Sequence, residues 1–236
     1  MVTSVDVTVL CSTYNSSKWI DGYLESINNQ TLEEFSIIFV DAASTDNSLQ
    51  TIKDFKFREG INVEVLECED KVPIYEAWNL AIKLCKTSYV VNVNTDDRLH
   101  PAALEAYLSY ARTNPSVDVF YSAYTQVEDV DHKNVTGLFI PPNHDHRLLL
   151  NHCYCGPFPL LKKETIVEEG LFDPKYTISG DYEMWLRMSK NNRSFVRVLE
   201  TVGTYYYNPE GMSTNRESKH WQEHVRQDAE IRSLYA

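Results

Sequence analysis

Tyr89–Arg98 reads YVVNVNTDDR, and the change from apolar to acidic residues inside it sets the fold. Tyr89, Val90, Val91 and Val93 form a β-branched and aromatic run, which predicts a buried strand. The strand gives way to Asn94, Thr95, Asp96 and Asp97. Pro101 is placed to open a helix, since proline is tolerated at the first helical position. Two adjacent carboxylates at the carboxyl end of a strand repel each other unless a cation sits with them. An oxygen-rich loop of this kind suits Mg²⁺ or Mn²⁺ bridging the phosphates of a substrate. Asp and Asn are also ordinary turn and cap residues, so the pair alone has a second reading as a solvated turn.

Working outward, the pattern repeats. Val5–Cys11, Phe35–Val40 and Ile61–Leu66 predict three further strands before Tyr89. Helical spacing lies between them: Trp19, Ile20, Tyr23, Leu24 and Ile27; then Leu49, Ile52 and Phe55, with Asp46 placed to cap; then Ile74, Tyr75, Trp78, Ala81, Ile82 and Cys85 after Pro73. A helix over Pro101–Arg112 follows. Strands alternating with helices predict a parallel α/β sheet with right-handed crossovers. Ligands bind such sheets at the carboxyl ends of the strands. Thr13-Tyr14-Asn15, Asp41–Ser44, Asp70-Lys71 and Asp96-Asp97 are therefore expected on one rim, which favours a cleft that handles phosphates or nucleotides. No GxGxxG and no P-loop occurs, so dinucleotide binding of the Rossmann type and Walker-type chemistry lack support.

The second half is less regular. Val117–Val127 predicts a long strand, with a hairpin turn at Asp131–Asn134 into Val135–Ile140. Phe158–Leu161 predicts a short strand and Glu164–Glu169 a short helix stopped by Gly170. Ser179-Gly180-Asp181 precedes a helix carrying Met184, Trp185, Leu186 and Met188. Phe195–Leu199 and Val202–Tyr207 read as two strands, and Arg216–Tyr235 as a polar helix with a thin apolar face. No repeat or linker interrupts the chain, so one domain is expected over residues 1–236: a ligand-binding half over 1–115, a second half over 116–215 and a C-terminal helix over 216–236.

Composition narrows the partners. The chain has 236 residues, 43% hydrophobic and 24% charged, with a formal net charge of −12. That balance argues against nucleic acid or an anionic membrane as main partner, and an acidic protein handling phosphorylated ligands needs a metal or local basic residues. No apolar run reaches membrane-spanning length. The opening residues MVTSVDVTVL lack the basic start of a signal peptide and read as a strand. Five cysteines, Cys11, Cys68, Cys85, Cys153 and Cys155, are odd in number, and three lie in or beside apolar runs. Reduced thiols in a cytosolic setting are expected rather than a disulfide framework.

Several blocks in order then resemble the family 2 glycosyltransferases. They are Ser12-Thr13-Tyr14-Asn15, Val40-Asp41-Ala42-Ala43-Ser44-Thr45-Asp46, Asn94-Thr95-Asp96-Asp97 and Gly180-Asp181-Tyr182-Glu183-Met184-Trp185-Leu186-Arg187. The stretch Ile74–Asn79 is similar to that family's usual helix. The resemblance runs from about Val5 to about Tyr207. It implies a GT-A fold: one Rossmann-like α/β domain with a mostly parallel central sheet and a smaller mixed sheet on the acceptor side. It implies inverting transfer of a hexosyl or N-acetylhexosaminyl group from a nucleotide diphosphate donor, with a UDP-sugar as the single best choice. The acceptor would be a glycan or glycolipid in surface polysaccharide synthesis, met at the cytosolic face of a membrane. By the same resemblance Thr13, Tyr14 and Asn15 belong to the nucleotide pocket, and Asp41 accepts a hydrogen bond from the base. Asp96 binds the ribose or diphosphate side. Asp97 holds Mn²⁺ or Mg²⁺, and Asp181 is the general base. Lys71 could reach the diphosphate.

This chain departs from the family pattern in three places. Asp41 is followed by Ala42-Ala43 where a second acid and a glycine are usual. Gly180 stands where an acid usually precedes the base. Tyr205–Glu210 reads YYYNPE, without the histidine of the usual Tyr-x-x-His. Plainer readings stay open: Asp181 as a helix cap, Asp41 as a turn residue, Lys71 as a solvated loop lysine, Trp78 and Trp185 as core. His144, His146, His152, Cys153 and Cys155 cluster in sequence, but neither H-x-H nor C-x-C is the usual structural-zinc spacing. The family places its acceptor loop there, which assigns Asn151–Gly156, with His152, to the acceptor pocket. Competing functions are a sugar nucleotidyltransferase, against which the glycine-free Cys11–Ser17 counts, and a binding domain whose catalytic apparatus has decayed.

Overall fold

A computed structural model describes residues 6–236. Val5, where the first strand was expected to start, lies outside the described residues, as do Met1–Ser4 of the stretch weighed as a signal peptide.

The elements run in chain order β1 (Val7–Thr13), α1 (Ile20–Asn28), β2 (Phe35–Asp41), α2 (Ser48–Asp54), β3 (Ile61–Glu67), α3 (Ile74–Leu84) and β4 (Tyr89–Asn92). Then come β5 (Arg98–Leu99), α4 (Ala103–Thr113), β6 (Val119–Val127), β7 (Val135–Phe139), α5 (His146–Leu149) and β8 (Leu160–Lys162). The chain closes with α6 (Lys163–Glu168), α7 (Gly180–Lys190), β9 (Phe195–Tyr206) and α8 (Lys219–Tyr235).

Among the described residues, nine strands form one sheet in the order β3-β2-β1-β4-β8-β6-β9-β5, with β7 paired to β6. The first four are mutually parallel, with Thr13, Asp41 and Glu67 level at their carboxyl ends. Beyond β4 the pairing is mixed: β8 is antiparallel to β4 and β6, whereas β9 runs parallel to β6. The chain winds outward from β1 to β3 and then returns to add β4 on the other side of β1. That reversal is a topological switch point, and a crevice opens there at the strand ends.

The sheet is covered on both faces, which explains the near-continuous apolar strands. Alternation divides them: Val7, Val9, Cys11, Ile37, Phe39, Val91 and Val93 join α1 and α4 in one core. Leu10, Ile38, Val40 and Val90 join α3, α7 and Ile231 of α8 in the other. β3 is the edge and alternates between half-buried and exposed positions.

Three expectations need correction. Pro101 lies in a turn, and the α4 helix begins only at Ala103, because β5 intervenes to pair Arg98 and Leu99 with Thr204 and Gly203 of β9. Phe195–Tyr206 is one strand rather than two. Its pairing with β6 jumps from Val198 to Thr201, so Leu199 and Glu200 bulge out and Leu199 is exposed. Such a bulge breaks the alternation that sequence reading depends on. The short helix after β8 is Lys163–Glu168 rather than Glu164–Glu169.

Candidate active site

The rim at the switch point is tied together by backbone. The Ala42 N–H donates to the Thr13 carbonyl (2.8 Å), Cys68 N–H to the Asp41 carbonyl (2.9 Å), and Val93 N–H to the Leu10 carbonyl (3.0 Å). The four expected loops therefore do meet on one edge. Their side chains are used unequally. Tyr14 is exposed, and the Lys71 ammonium lies 3.7 Å from its ring centroid, a cation–π contact that brings both onto the rim. Thr13 is fully buried, so only its backbone faces the neighbouring loop. Asn15, at φ +49°, accepts at Oδ1 from the N–H of Thr45 (2.8 Å) and of Asp46 (3.3 Å), and so joins the first loop to the second. Asp41 is buried and accepts from the Ser44 N–H (2.9 Å) and hydroxyl (2.6 Å). That supplies the turn geometry of its plainer reading. Asp46 accepts from the N–H of Ser17 (2.9 Å) and Ser48 (3.0 Å). Against the desolvation that raises it, the Ser48 and Ser17 donors hold its pKa down to about 2.

Asp96 and Asp97 leave β4 at the switch point. Asp97 is buried, and its Oδ1 accepts the Tyr206 N–H (3.0 Å). Burial pushes its pKa well up, the Asp96 charge pushes it further, and the Tyr206 N–H and Arg98 only partly oppose this. Asp96 is half-buried and accepts from Asn208 Nδ2 at 3.2 Å. Its pKa is also raised by desolvation, against the Asn208 bond and Arg98. Asn208 stands in the YYYNPE stretch that lacks a histidine, and it reaches the diacid loop in its own way.

Two residues that sequence reading passed over hold this loop. Arg98 donates to the carbonyls of Thr95 (2.9 Å), Asp97 (2.7 Å) and Trp19 (3.0 Å), which joins the diacid turn to the start of α1. Gly22 leaves room for it: a Cβ there would sit 2.7 Å from Arg98 Nη2, so the guanidinium would have to shift. Arg98, the next residue in the chain, spends its guanidinium on backbone carbonyls and offsets the two carboxylates only in part. His132, from the β6–β7 hairpin, places Nε2 2.9 Å from the Asp96 carbonyl. That contact requires Nε2 to carry the proton, which leaves its buried Nδ1 as an unpartnered acceptor.

Asp181 lies in the first turn of α7, two residues past the Ser179 cap position. It is partly exposed. Its Oδ1 accepts from the Tyr182 N–H (2.8 Å) and from the Tyr75 hydroxyl (3.0 Å). Desolvation raises its pKa above the usual carboxylate range, against those two donors. The loop before it is fixed by α8: Gln227 Oε1 accepts the N–H of Ile178 (3.0 Å) and of Ser179 (3.1 Å).

His144 and His146 of the histidine–cysteine cluster go to aromatic, hydroxyl and carbonyl partners. His144 stacks on Phe195 at 4.1 Å and meets the Ser189 hydroxyl at 3.0 Å. His146 lies between Ser189 and the Tyr235 carbonyl. His152 is exposed, and all five cysteines are free. Among the described residues no group of three or more His, Cys, Asp or Glu could hold a metal by itself. The Asp96–Asp97 pair still fits a hard divalent cation, because such ions take one or two carboxylates and complete their shell with substrate phosphates and water. Among the described residues no helix is long and apolar enough to cross a membrane.

Comparison with known proteins gives the family and the fold. Residues 8–168, more than half of the chain, match the family model described as Glycosyl transferase family 2. The amylovoran biosynthesis glycosyltransferase AmsB of Erwinia amylovora is 26% identical over 211 residues, covering 86% of this chain and 70% of its own. The structure of S. aureus TarS 1-349 in complex with UDP-GlcNAc superposes with a TM-score of 0.72 at 19% identity, over 96% of this chain and 66% of that one. The mannosyltransferase PcManGT from Pyrobaculum calidifontis, in complex with GDP-Man and Mn²⁺, gives 0.70 at 16% identity, over 95% and 65%.

Proposed function

The chain belongs to glycosyl transferase family 2 and has the GT-A fold, and from that premise we propose that it transfers a sugar, with inversion, from a UDP-sugar to a hydroxyl of a glycan or glycolipid. It is an enzyme of the glycosyltransferase type. The observation that carries the finer reading is the buried Asp97 beside Asp96 at the switch point, where two carboxylates are left under-compensated. Asp97 would hold Mn²⁺ or Mg²⁺, with Asp96 on the ribose or diphosphate side. When bound, the cation would offset the charge that develops on the departing diphosphate.

Tyr14, Lys71 and Asp41 form the nucleotide side of the cleft, with Thr13 and Asn15 shaping it through backbone and loop contacts. Asp181 receives the acceptor's proton. The acceptor oxygen bonds to the anomeric carbon as the bond to the diphosphate oxygen breaks, and that electron pair leaves with the nucleoside diphosphate. One displacement with one base inverts the anomeric centre, in contrast to the nucleophile-and-acid pair of retaining hydrolases. UDP is our donor choice on the TarS complex, which contains UDP-GlcNAc; GDP-Man, bound in PcManGT, is the alternative that the test below separates. The acceptor class is drawn from AmsB, named for amylovoran biosynthesis, which supports a role in polysaccharide synthesis.

The test is thermal stability against UDP, UDP-GlcNAc, GDP and GDP-mannose, with and without Mn²⁺, since a ligand that binds only the native state raises its apparent stability. A Mn²⁺-dependent shift with UDP supports the reading. A shift with GDP alone keeps the transferase and overturns the donor. In transfer assays, Asp181→Asn should abolish turnover while donor binding stays intact. Equal loss of both would make Asp181 a structural cap.

A further inference from the structure

Tyr75 sits on α3 and is 4% exposed. Its ring is pinned by Phe172, stacked at 5.8 Å, and by Trp78, edge-on at 5.3 Å. Asn79 fixes Phe172 in turn, donating to its carbonyl (2.8 Å) and accepting its N–H (3.0 Å). The hydroxyl at the end of this ring meets two acceptors, the Ile178 carbonyl at 2.6 Å and Asp181 Oδ1 at 3.0 Å. A phenol has one proton, so it cannot donate fully to both.

Gly180 explains how the ring gets there. A Cβ at position 180 would lie 2.8–2.9 Å from three carbons of the Tyr75 ring. Any side chain at 180 would push the phenol away from Asp181. The missing acid before the base is the counterpart of this tyrosine.

We propose that Tyr75 is the positioning residue of Asp181, a two-way hydroxyl that Gly180 admits and that holds the carboxyl group in its ionised state. The inference rests on the reading of Asp181 as general base. With Asp181 ionised, the phenol proton points to Oδ1. Once Asp181 has taken the acceptor's proton on its free oxygen Oδ2, the neutral carboxyl accepts more weakly at Oδ1, and the phenol proton turns to the Ile178 carbonyl. The Ile178 and Ser179 N–H groups are held on Gln227, so this carbonyl stays in place for the exchange. Among the described residues, other titratable groups near the carboxyl are Cys153 and Cys155 from the segment between α5 and β8, and Asp228 and His224 from α8.

The sign follows from bond strength. A hydrogen bond to an ionised carboxylate is roughly twice as strong as one between neutral groups. Removing the phenol therefore harms the ionised form more, and the Asp181 pKa rises.

The test is a carboxyl carbon NMR titration of protein labelled at aspartate, with the Asp181 signal identified by its absence in Asp181→Asn. Tyr75→Phe keeps the ring and its packing and should move the Asp181 titration to higher pH. Gly180→Ala should move it the same way with the phenol still present. Thermal melts confirm that both variants fold. A titration unchanged in folded Tyr75→Phe overturns the proposal, even where turnover has dropped. Transfer retained by Asp181→Asn would instead overturn the base assignment, so the two failures are distinguishable.

Discussion

Asp97 concentrates the problem that the site must solve. It is 1% exposed, it adjoins a second carboxylate, and one backbone N–H together with Arg98 is all that offsets its charge. A buried charge without a full partner destabilises the fold that carries it. Asp97→Asn keeps an oxygen for the Tyr206 N–H and removes the repulsion. Its melting temperature without nucleotide or metal should therefore be higher than that of the parent, while the Mn²⁺-dependent shift with UDP disappears. A lower melting temperature in scanning calorimetry would show that Asp97 is structural. Sequence reading reached this residue and its neighbour directly, because adjacent acids at a strand end are a local pattern. It did not reach Tyr75, which shares its helical spacing with core residues such as Trp78 and Ala81. Only its distance of 3.0 Å from a carboxylate 106 positions later separates it from them.

Helix α8 was read as a polar helix with a thin apolar face, and its part in the site comes from a polar residue instead. Gln227 is 1% exposed and satisfies two orphan N–H groups at the entry to α7. Helix starts leave such groups without intrahelical partners. Gln227→Ala should cost about 1–3 kcal/mol, the usual penalty for leaving a buried donor unpaired, measured by urea unfolding. Turnover should fall with UDP affinity preserved, because the donor side lies on other elements. A loss confined to UDP affinity would contradict this assignment. At this scale the strands of the first half were legible to within a residue or two, since both faces of a parallel sheet demand apolar runs. The bulge at Leu199–Glu200 and the two-residue β5 were not. Each is defined by a pairing partner distant in sequence.

For the molecule as a whole, a formal charge of −12 faces the anionic diphosphate of the proposed donor. Long-range repulsion of this kind is screened by salt, whereas a direct metal bridge is screened much less. Without divalent cation, the dissociation constant for UDP in calorimetric titration should therefore fall as ionic strength rises from ~0.01 to ~0.15 M, over which the Debye length contracts from about 30 to 8 Å. With Mn²⁺ present the dependence should flatten. Weakening in both cases would mean that local cations such as Lys71 dominate the field.

By itself the sequence determined the α/β class, the parallel β1–β4 core, the rim on which four loops meet, and the resemblance that named Asp41, Asp96, Asp97 and Asp181. All of these are written in short runs, since strand and helix periods and strand-end acids are properties of a few neighbouring residues. Only the tertiary structure decided how those groups are held. It set Arg98 on three carbonyls through the space left by Gly22, His132 and Asn208 on the diacid loop, Tyr75 on Asp181 through the space left by Gly180, and Gln227 beneath the loop before it. Apart from the bonds of Arg98 to Thr95 and Asp97, these contacts join residues tens of positions apart, and their energies depend on burial and on distances of about 3 Å that no local pattern encodes.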